Sequence, residues 1–330
     1  MVMTIILIGV ALYTILGGMF SVLVTDYIQF VVMGIGLLTL VFLFTVDFGW
    51  EGYTRTVEQN IGYAGFNPFM SGQYGLDRIV LDILLAFATV LTWQTIISRV
   101  LSAKDASTGR KIYMGTSPFF LVRFVVPVIF GIAALHFFGP GTYSNSAILA
   151  MPNLIAIVVP VGLMGIIVAA MLAADMSTNS SYMLAWSSVI YNDIMKPFHR
   201  NKWPEKKGIL WNRILVALIG LFLLLYGLWY PLQGDLWVYL QVTGTIYLSS
   251  MSVLLIAACY WTKANSWGAI AAITVGCLIP VSYLVMEQVD STHALAASIG
   301  PYKVGIVTYL MASLAMIGGS IIKNKLIKPE

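Results

Sequence analysis

The sequence predicts an all-α integral membrane protein, and three observations carry that prediction. Apolar residues fill 59% of the 330 positions and charged residues only 10%, where a soluble chain carries about a quarter charged residues. The apolar residues gather in runs of roughly 20, the length that crosses a bilayer as a helix. Lys and Arg cluster in alternate connections between those runs. A mean hydropathy of +0.88 leaves too little polar surface for water, so the solvent of this chain is lipid.

Taken in order, full spans are predicted at 19–46, 77–98, 115–138, 158–190, 209–230, 236–261, 267–286 and 303–322. Residues 2–15 form a shorter apolar run. Residues 1–16 lack a basic start and a small-residue cleavage site, so they do not read as a signal peptide. The connection after 98 carries Arg99, Lys104, Arg110 and Lys111, and the one after 190 carries Lys196, Arg200, Lys202, Lys206 and Lys207. Lys263 follows the sixth span, and Lys323, Lys325 and Lys328 follow the last. Connections 139–157, 231–235 and 287–302 hold no Lys or Arg. This alternation follows the positive-inside rule. It predicts a multi-pass protein of the cell membrane with a cytoplasmic C-terminus and a first full span that runs outward. The net charge of +4 is then a topology signal and not a nucleic-acid footprint.

Residues 47–76, rich in Gly, Tyr, Asn and Pro, read as an ordered outer loop, and 139–157 as a small helix over the outer mouth. The strip 196–208 reads as a solvated cytoplasmic linker. Cys259 and Cys277 lie in apolar runs and His136, His199 and His293 have no ligand spacing, so neither a disulfide framework nor a transition-metal cluster is implied. No phosphate-binding Gly loop, His dyad or metal-protease spacing is present, which argues against an enzyme.

Polar residues inside a span cost free energy and mark cavities or partners. Asp26, about two turns into its span, is either a carboxylate held at the interface or by a basic side chain, or a hard oxygen ligand for a cation. In Ala173-Ala174-Asp175-Met176-Ser177-Thr178-Asn179-Ser180-Ser181, residues Ala174, Ser177, Thr178 and Ser181 share one helix face. Oxygen donors without thiolate or imidazole suit a hard monovalent cation. The plain alternative is hydroxyls bonded back to the preceding turn. Arg123 lies too deep in its span to snorkel easily; pairing, with Asp175 for example, stands beside solute contact. Gln241, with Thr243, Thr245, Ser249 and Ser250, is either interhelical glue or a solute ligand.

At these residues the chain resembles the sodium:solute symporter family, relatives of proline, sugar, pantothenate and sialic acid transporters. Tyr13-Thr14, Gly17-Gly18, Ser21-Val22, Thr25-Asp26 and Gln29 are similar to the motif opening the family's fifth core helix. Ala173-Ala174, Met176-Ser177-Thr178 and Ser181, followed by Asn192 to Pro197, are similar to its eighth. Ser98 to Lys104 and Tyr260 to Lys263 match less closely. The resemblance covers essentially the whole chain and implies a LeuT-type inverted-repeat transporter fold, with the first core helices missing from this chain.

By that resemblance, 1–16 is the end of the fourth core helix, 17–47 the fifth and 48–76 an extracellular loop. Residues 77–261 form the second repeat, core helices six to ten, and 262–330 two additional C-terminal helices and a cytoplasmic tail. The resemblance assigns sodium to the Ala174 carbonyl and the Ser177 and Thr178 hydroxyls, and a second sodium site to Asp26, Ser177, Ser180 and Ser181. It offers Thr89, Arg123 and Gln241 as solute contacts. Thr89 stands where sugar transporters carry an aromatic gate, so a hexose is not supported, and Arg123 leans toward an anionic solute. Eight residues after Gln241 the family's proline is replaced by Ser249.

The implied activity is sodium-coupled symport of a small organic solute, with Na+ as the coupling ion and the metal. The implied partners are the solute, the lipid bilayer and the missing N-terminal helices of the same transporter. The alternative is a non-transporting membrane module, sensor-like or a truncated remnant; some relatives of the family are fused to signalling kinases.

Overall fold

The computed structural model describes residues 2–67, 69–70, 75–143, 147–198, 203–229 and 236–326, with the side chain of Glu205 left aside. Connection 231–235, the basic residues Arg200, Lys202 and Lys328, and His199 lie outside the described residues. All regular structure among the described residues is helical. Among the described residues, eight helices or helix pairs are long and apolar enough to cross a membrane, and each contains the core of one predicted span.

Helix α1 (Val2–Asn60) runs without a hydrogen-bonding gap but is broken twice, at Gly18 (φ 57°, ψ −149°) and Gly49 (φ 63°, ψ 165°). Only glycine populates that region without strain, so the Gly17-Gly18 pair separates the 2–15 run from the 19–46 span. The second break corrects the loop reading of 47–76, because residues 50–60 are helical. Tyr53 and Thr56 are buried three apart on this segment, and Glu51 pairs with Arg55 at 3.4 Å on its exposed side. The helical spacing was present but hidden in a polar composition.

The chain forms two compact units, each built from two stretches of sequence. The first holds residues 1–56 and 101–232. Here α4 (Ala106–Phe138), α5 (Ala150–Val158) and α6 (Val161–Val189) pack with α1 around Leu40, Phe44, Phe130, Leu154 and Ile167. Phe44 and Phe130 meet edge to face at 5.6 Å. A second cluster joins Leu7 and Val10 of α1 to Met183 of α6 and to Val216 and Ile219 of α8 (Glu205–Trp229). Asp105 caps α4 by accepting from the Thr108 amide at 2.7 Å. Beyond α6, a π-helical turn at Ile190–Met195 leads into α7 (Lys196–Phe198). The linker reading of 196–208 gains an anchor here: Trp203 stacks on Trp211 at 5.7 Å and takes Lys207 over its face at 5.0 Å.

The second unit holds residues 57–100 and 233–330. Its span 77–98 is two helices, α2 (Leu76–Thr92) and α3 (Gln94–Leu101), separated at Trp93. The Tyr247 hydroxyl donates to the Thr92 carbonyl at 3.1 Å, supplying a partner at the break. Helix α9 (Leu236–Tyr260) is continuous through Ser249, as the replacement of proline permits. Leu81, Leu85 and Ala88 of α2 pack with Leu248 of α9 and Tyr309 of α12 (Pro301–Leu326). Helix α10 (Ser266–Gln288) packs against both α9 and α12. The short α11 (Asp290–Ile299) was not foreseen in the connection 287–302; its ten residues make about three turns, with Ala296 as its buried residue.

Candidate functional site

Helix α6 begins at the extended backbone of Pro160 and carries the hydroxyl run in its interior. Ser177 Oγ donates to the Ala174 carbonyl at 3.0 Å and Thr178 Oγ1 to the same carbonyl at 2.9 Å. Ser180 and Ser181 donate to the Ser177 carbonyl at 3.1 and 2.6 Å. These are the back-bonds of the plain alternative, and they also have a chemical consequence. A hydroxyl has one proton and two lone pairs; with every proton turned onto the helix backbone, four hydroxyls present lone pairs only. The result is an acceptor-rich face gathered on two carbonyls, which is the chemistry a hard cation requires.

Ser180 is fully buried, Ser177 and Ser181 are half-buried and Thr178 is exposed. Asp175, beside the run, accepts from Asn179 Nδ2 at 3.0 Å. No ion pair between Asp175 and Arg123 occurs among the described residues, and Arg123 is exposed on α4.

Asp26 is half-buried on the central segment of α1. On one side of it the Tyr13 hydroxyl donates to the Met176 carbonyl at 3.3 Å. On the other, Gly36 lies so close to Ala170 that a Cβ built on it would sit 2.3 Å from the Ala170 Cβ. These two contacts join α1 to α6 at Ala170 and Met176, on the segment just before the hydroxyl run.

Of the three expected solute contacts, Thr89 and Gln241 lie in the second unit and Arg123 in the first. Thr89 Oγ1 donates to the Leu85 carbonyl at 2.7 Å. Gln241, 4% exposed, does not meet Thr89. Its Nε2 donates to Asp82 Oδ1 in a short hydrogen bond. Asp82 is two helical turns before Thr89, about 10 Å along the axis. Asp82 Oδ2 faces Arg78 Nε at 3.9 Å, and the Arg78 guanidinium lies 5.6 Å from the Tyr302 ring centre.

Asp82 is the residue that sequence reasoning missed. A carboxylate six positions into a predicted span is the signal by which Asp26 was singled out, and applying it evenly finds Asp82 as well. Ser249 and Ser250 serve packing: a Cβ on Gly276 of α10 would come within 3.1 Å of Ser249 Oγ and 3.0 Å of Ser250 Cβ.

Spanning helices with oxygen-lined polar faces in their interior define a multi-pass membrane protein. The chain belongs to the sodium:solute symporter family, whose sequence pattern matches residues 1–276. It is similar to sodium/glucose cotransporter 4 of Danio rerio, 26% identical over 97% of this chain and 54% of the relative. It is also 26% identical to the osmoregulated proline transporter of Bacillus subtilis (strain 168), over 96% of this chain and 62% of the relative. Among solved structures, a Na+-coupled sialic acid symporter in a substrate-bound outward-open state matches with a TM-score of 0.74 at 17% identity. That match covers 97% of this chain and 65% of the other and shows the LeuT-type fold. The chain spans about half the length of the first of these curated relatives. The relatives are transporters, which accords with the lack of a catalytic constellation in the sequence.

Proposed function

We propose that this chain serves sodium-coupled symport of a small organic solute across the cell membrane, with its C-terminus in the cytoplasm. The observation that carries the reading is the acceptor face of α6 around Ala174, Ser177 and Thr178. Sodium takes lone pairs from the Ser177 and Thr178 hydroxyls, and rotation of those hydroxyls frees the Ala174 carbonyl as a third ligand. Asp26, on the helix that meets α6 just before this run, supplies the charge of a second sodium site with Ser177, Ser180 and Ser181. Thr89, Arg123 and Gln241 are the proposed solute contacts, and residues 77–261 the proposed second repeat. Coupling follows when sodium binds one arrangement of the helices better than the other; equal affinity would shift nothing. The alternation of basic connections supports the orientation.

The test is sodium activation of solute uptake by the full-length protein. Ser177→Ala or Thr178→Ala is expected to raise the half-activating sodium concentration ten- to a hundredfold, about 1.4–2.8 kcal/mol. Unchanged activation in both removes the sodium assignment. Uptake sigmoidal in sodium, becoming hyperbolic in Asp26→Asn, is the expected signature of the second site. Hyperbolic uptake by the unsubstituted protein leaves Asp26 a structural residue.

A further inference from the structure

The first turn of α10 and the last turns of α12 meet at one end of the second unit, and the proposed symport uses none of the groups there. Asn265 Oδ1 accepts from the Trp267 and Gly268 amides at 3.1 and 3.3 Å and so caps α10. Its Nδ2 donates to the Ser320 carbonyl at 2.9 Å and to Asn324 Oδ1 at 3.0 Å. Asn324 Nδ2 in turn donates to the Lys263 carbonyl at 3.0 Å, and Lys323 Nζ to Ser266 Oγ at 3.1 Å. The start of one spanning helix is thereby fixed level with the end of another. Both apolar runs stop here, so these residues lie where hydrocarbon gives way to headgroups.

Just inside that level, Trp267, Ile270 and Ala271 of α10 and Gly319 and Ile322 of α12 line an open groove of about 430 Å³. Trp267, Ile270 and Ile322 are all exposed. A Cβ on Gly319 would fall 2.9 Å from Gly268 Cα, so the two backbones close the floor of the groove. Its polar end is basic. Lys323 follows Gly319 by four residues and Lys325 follows Ile322 by three, which puts both on the groove-bearing side of α12. Residues 260–272 and 313–326 contain no Asp or Glu. Lys323 spends one of its three donors on Ser266. Among the described residues, neither it nor Lys263 nor Lys325 has an ionic partner.

We propose that this groove seats an acyl chain of an anionic glycerophospholipid whose phosphate lies against Lys323, Lys263 and Ser266. The inference is independent of the symport reading and needs only the membrane. An apolar slot that opens at headgroup depth takes the chain, and a basic rim without acids takes the charge. A zwitterionic lipid reaches the rim with its phosphate already balanced by its own cation, so it gains less. A second copy of this chain is a poorer occupant. Two-fold pairing in a bilayer sets the two basic rims at the same level, like charge beside like.

Trp267 reports on the groove directly. The purified full-length protein is reconstituted in phosphatidylcholine vesicles containing a minor fraction of brominated phospholipid, which quenches tryptophan on contact. The Trp267 share is the difference between the unsubstituted protein and Trp267→Phe. Brominated phosphatidylglycerol is expected to quench that share at about fivefold lower mole fraction than brominated phosphatidylcholine, the worth of one lysine at a charged surface. Combining Lys263→Gln, Lys323→Gln and Lys325→Gln is expected to remove the preference while quenching by phosphatidylcholine stays. Ala271→Phe, which fills the slot, is expected to reduce quenching by both lipids. Equal quenching by the two lipids overturns the inference, as does a preference that survives loss of the three lysines. Quenching of Trp267 by neither lipid shows the groove covered by protein and overturns it equally. Where the triple variant fails to fold, the unsubstituted protein decides across a range of salt: a preference that salt does not weaken is not made by these charges, and the inference falls.

Discussion

The hydroxyl face of α6 and the Asp82–Gln241 cluster are both polar sites inside spanning helices, yet they are held in opposite ways. The hydrogen bonds that Ser177, Thr178, Ser180 and Ser181 donate to carbonyls three or four residues back all close within α6. The Asp82–Gln241 bond joins two helices, and each partner depends on the packing of α2 against α9 for its place. A locally bonded site is made by one helix and can be altered without unfolding it. A site made by two helices is inseparable from their docking. Function and stability should therefore come apart at α6 and move together in the second unit.

The largest expected effect lies in the packing of α10 against α12 within the second unit. A Cβ on Gly268 would fall 2.1 Å from Ser320 Oγ and 2.4 Å from the Met316 carbonyl of α12. Gly268→Val should destabilise the protein by about 3 kcal/mol, at the upper end of overpacking costs, seen as a fall in the unfolding temperature in detergent. Wild-type stability would show that α10 and α12 do not meet at this crossing.

Gln241→Leu is expected to cost about 1–3 kcal/mol, the range for stripping a polar partner from an interior group. It should also lower solute response, so both readouts shift together. A variant that loses solute response at unchanged stability would make the two sites alike and break the comparison.

On α6 the expectation reverses. Without sodium, Ser177→Ala should alter thermal stability by no more than about 0.5 kcal/mol, because its lost hydrogen bond is local and its carbonyl keeps its helical partner. Only in sodium should the variant fall behind the unsubstituted protein. A loss of equal size with and without sodium would mark Ser177 as a packing residue.

The smallest effect concerns a purely local cap outside the spans. The Thr108 backbone amide holds the Asp105 carboxyl below its ordinary 3.8. A folded value below the unfolded one stabilises the first turn of α4 above 3.8 and loses that contribution as pH falls through the folded value. Amide exchange at Thr108 should accelerate over that acid range, and Asp105→Ala should abolish the pH dependence. Exchange independent of pH after correction for its intrinsic rate would leave the cap without a role.

Much of this could be read from residues alone. The eight spans follow from hydropathy because a backbone in lipid has to satisfy its own hydrogen bonds, and a helix does so within itself. The break at Gly18 was marked by a glycine pair between two apolar runs. Asp26 and the run from Ser177 to Ser181 were legible because each is a local pattern on one helix face. Residues 50–60 and α11 were not, since polar composition masked a short helical spacing. Asp82 was visible as a lone carboxylate in a span, but nothing in the sequence tied it to Gln241.

By itself, then, the sequence determined which long apolar segments are helices able to cross a membrane, and where single helices carry oxygen donors. These are properties of hydrogen bonds and side chains within about one turn. The tertiary structure alone decided that Ser249 and Ser250 would be packing surface for Gly276, that Arg123 and Asp175 would stay apart, and that Gln241 would reach Asp82 and not Thr89. Such choices depend on the rotation and crossing of whole helices, set by many small contacts at once, and a residue's own neighbours in sequence carry no record of them.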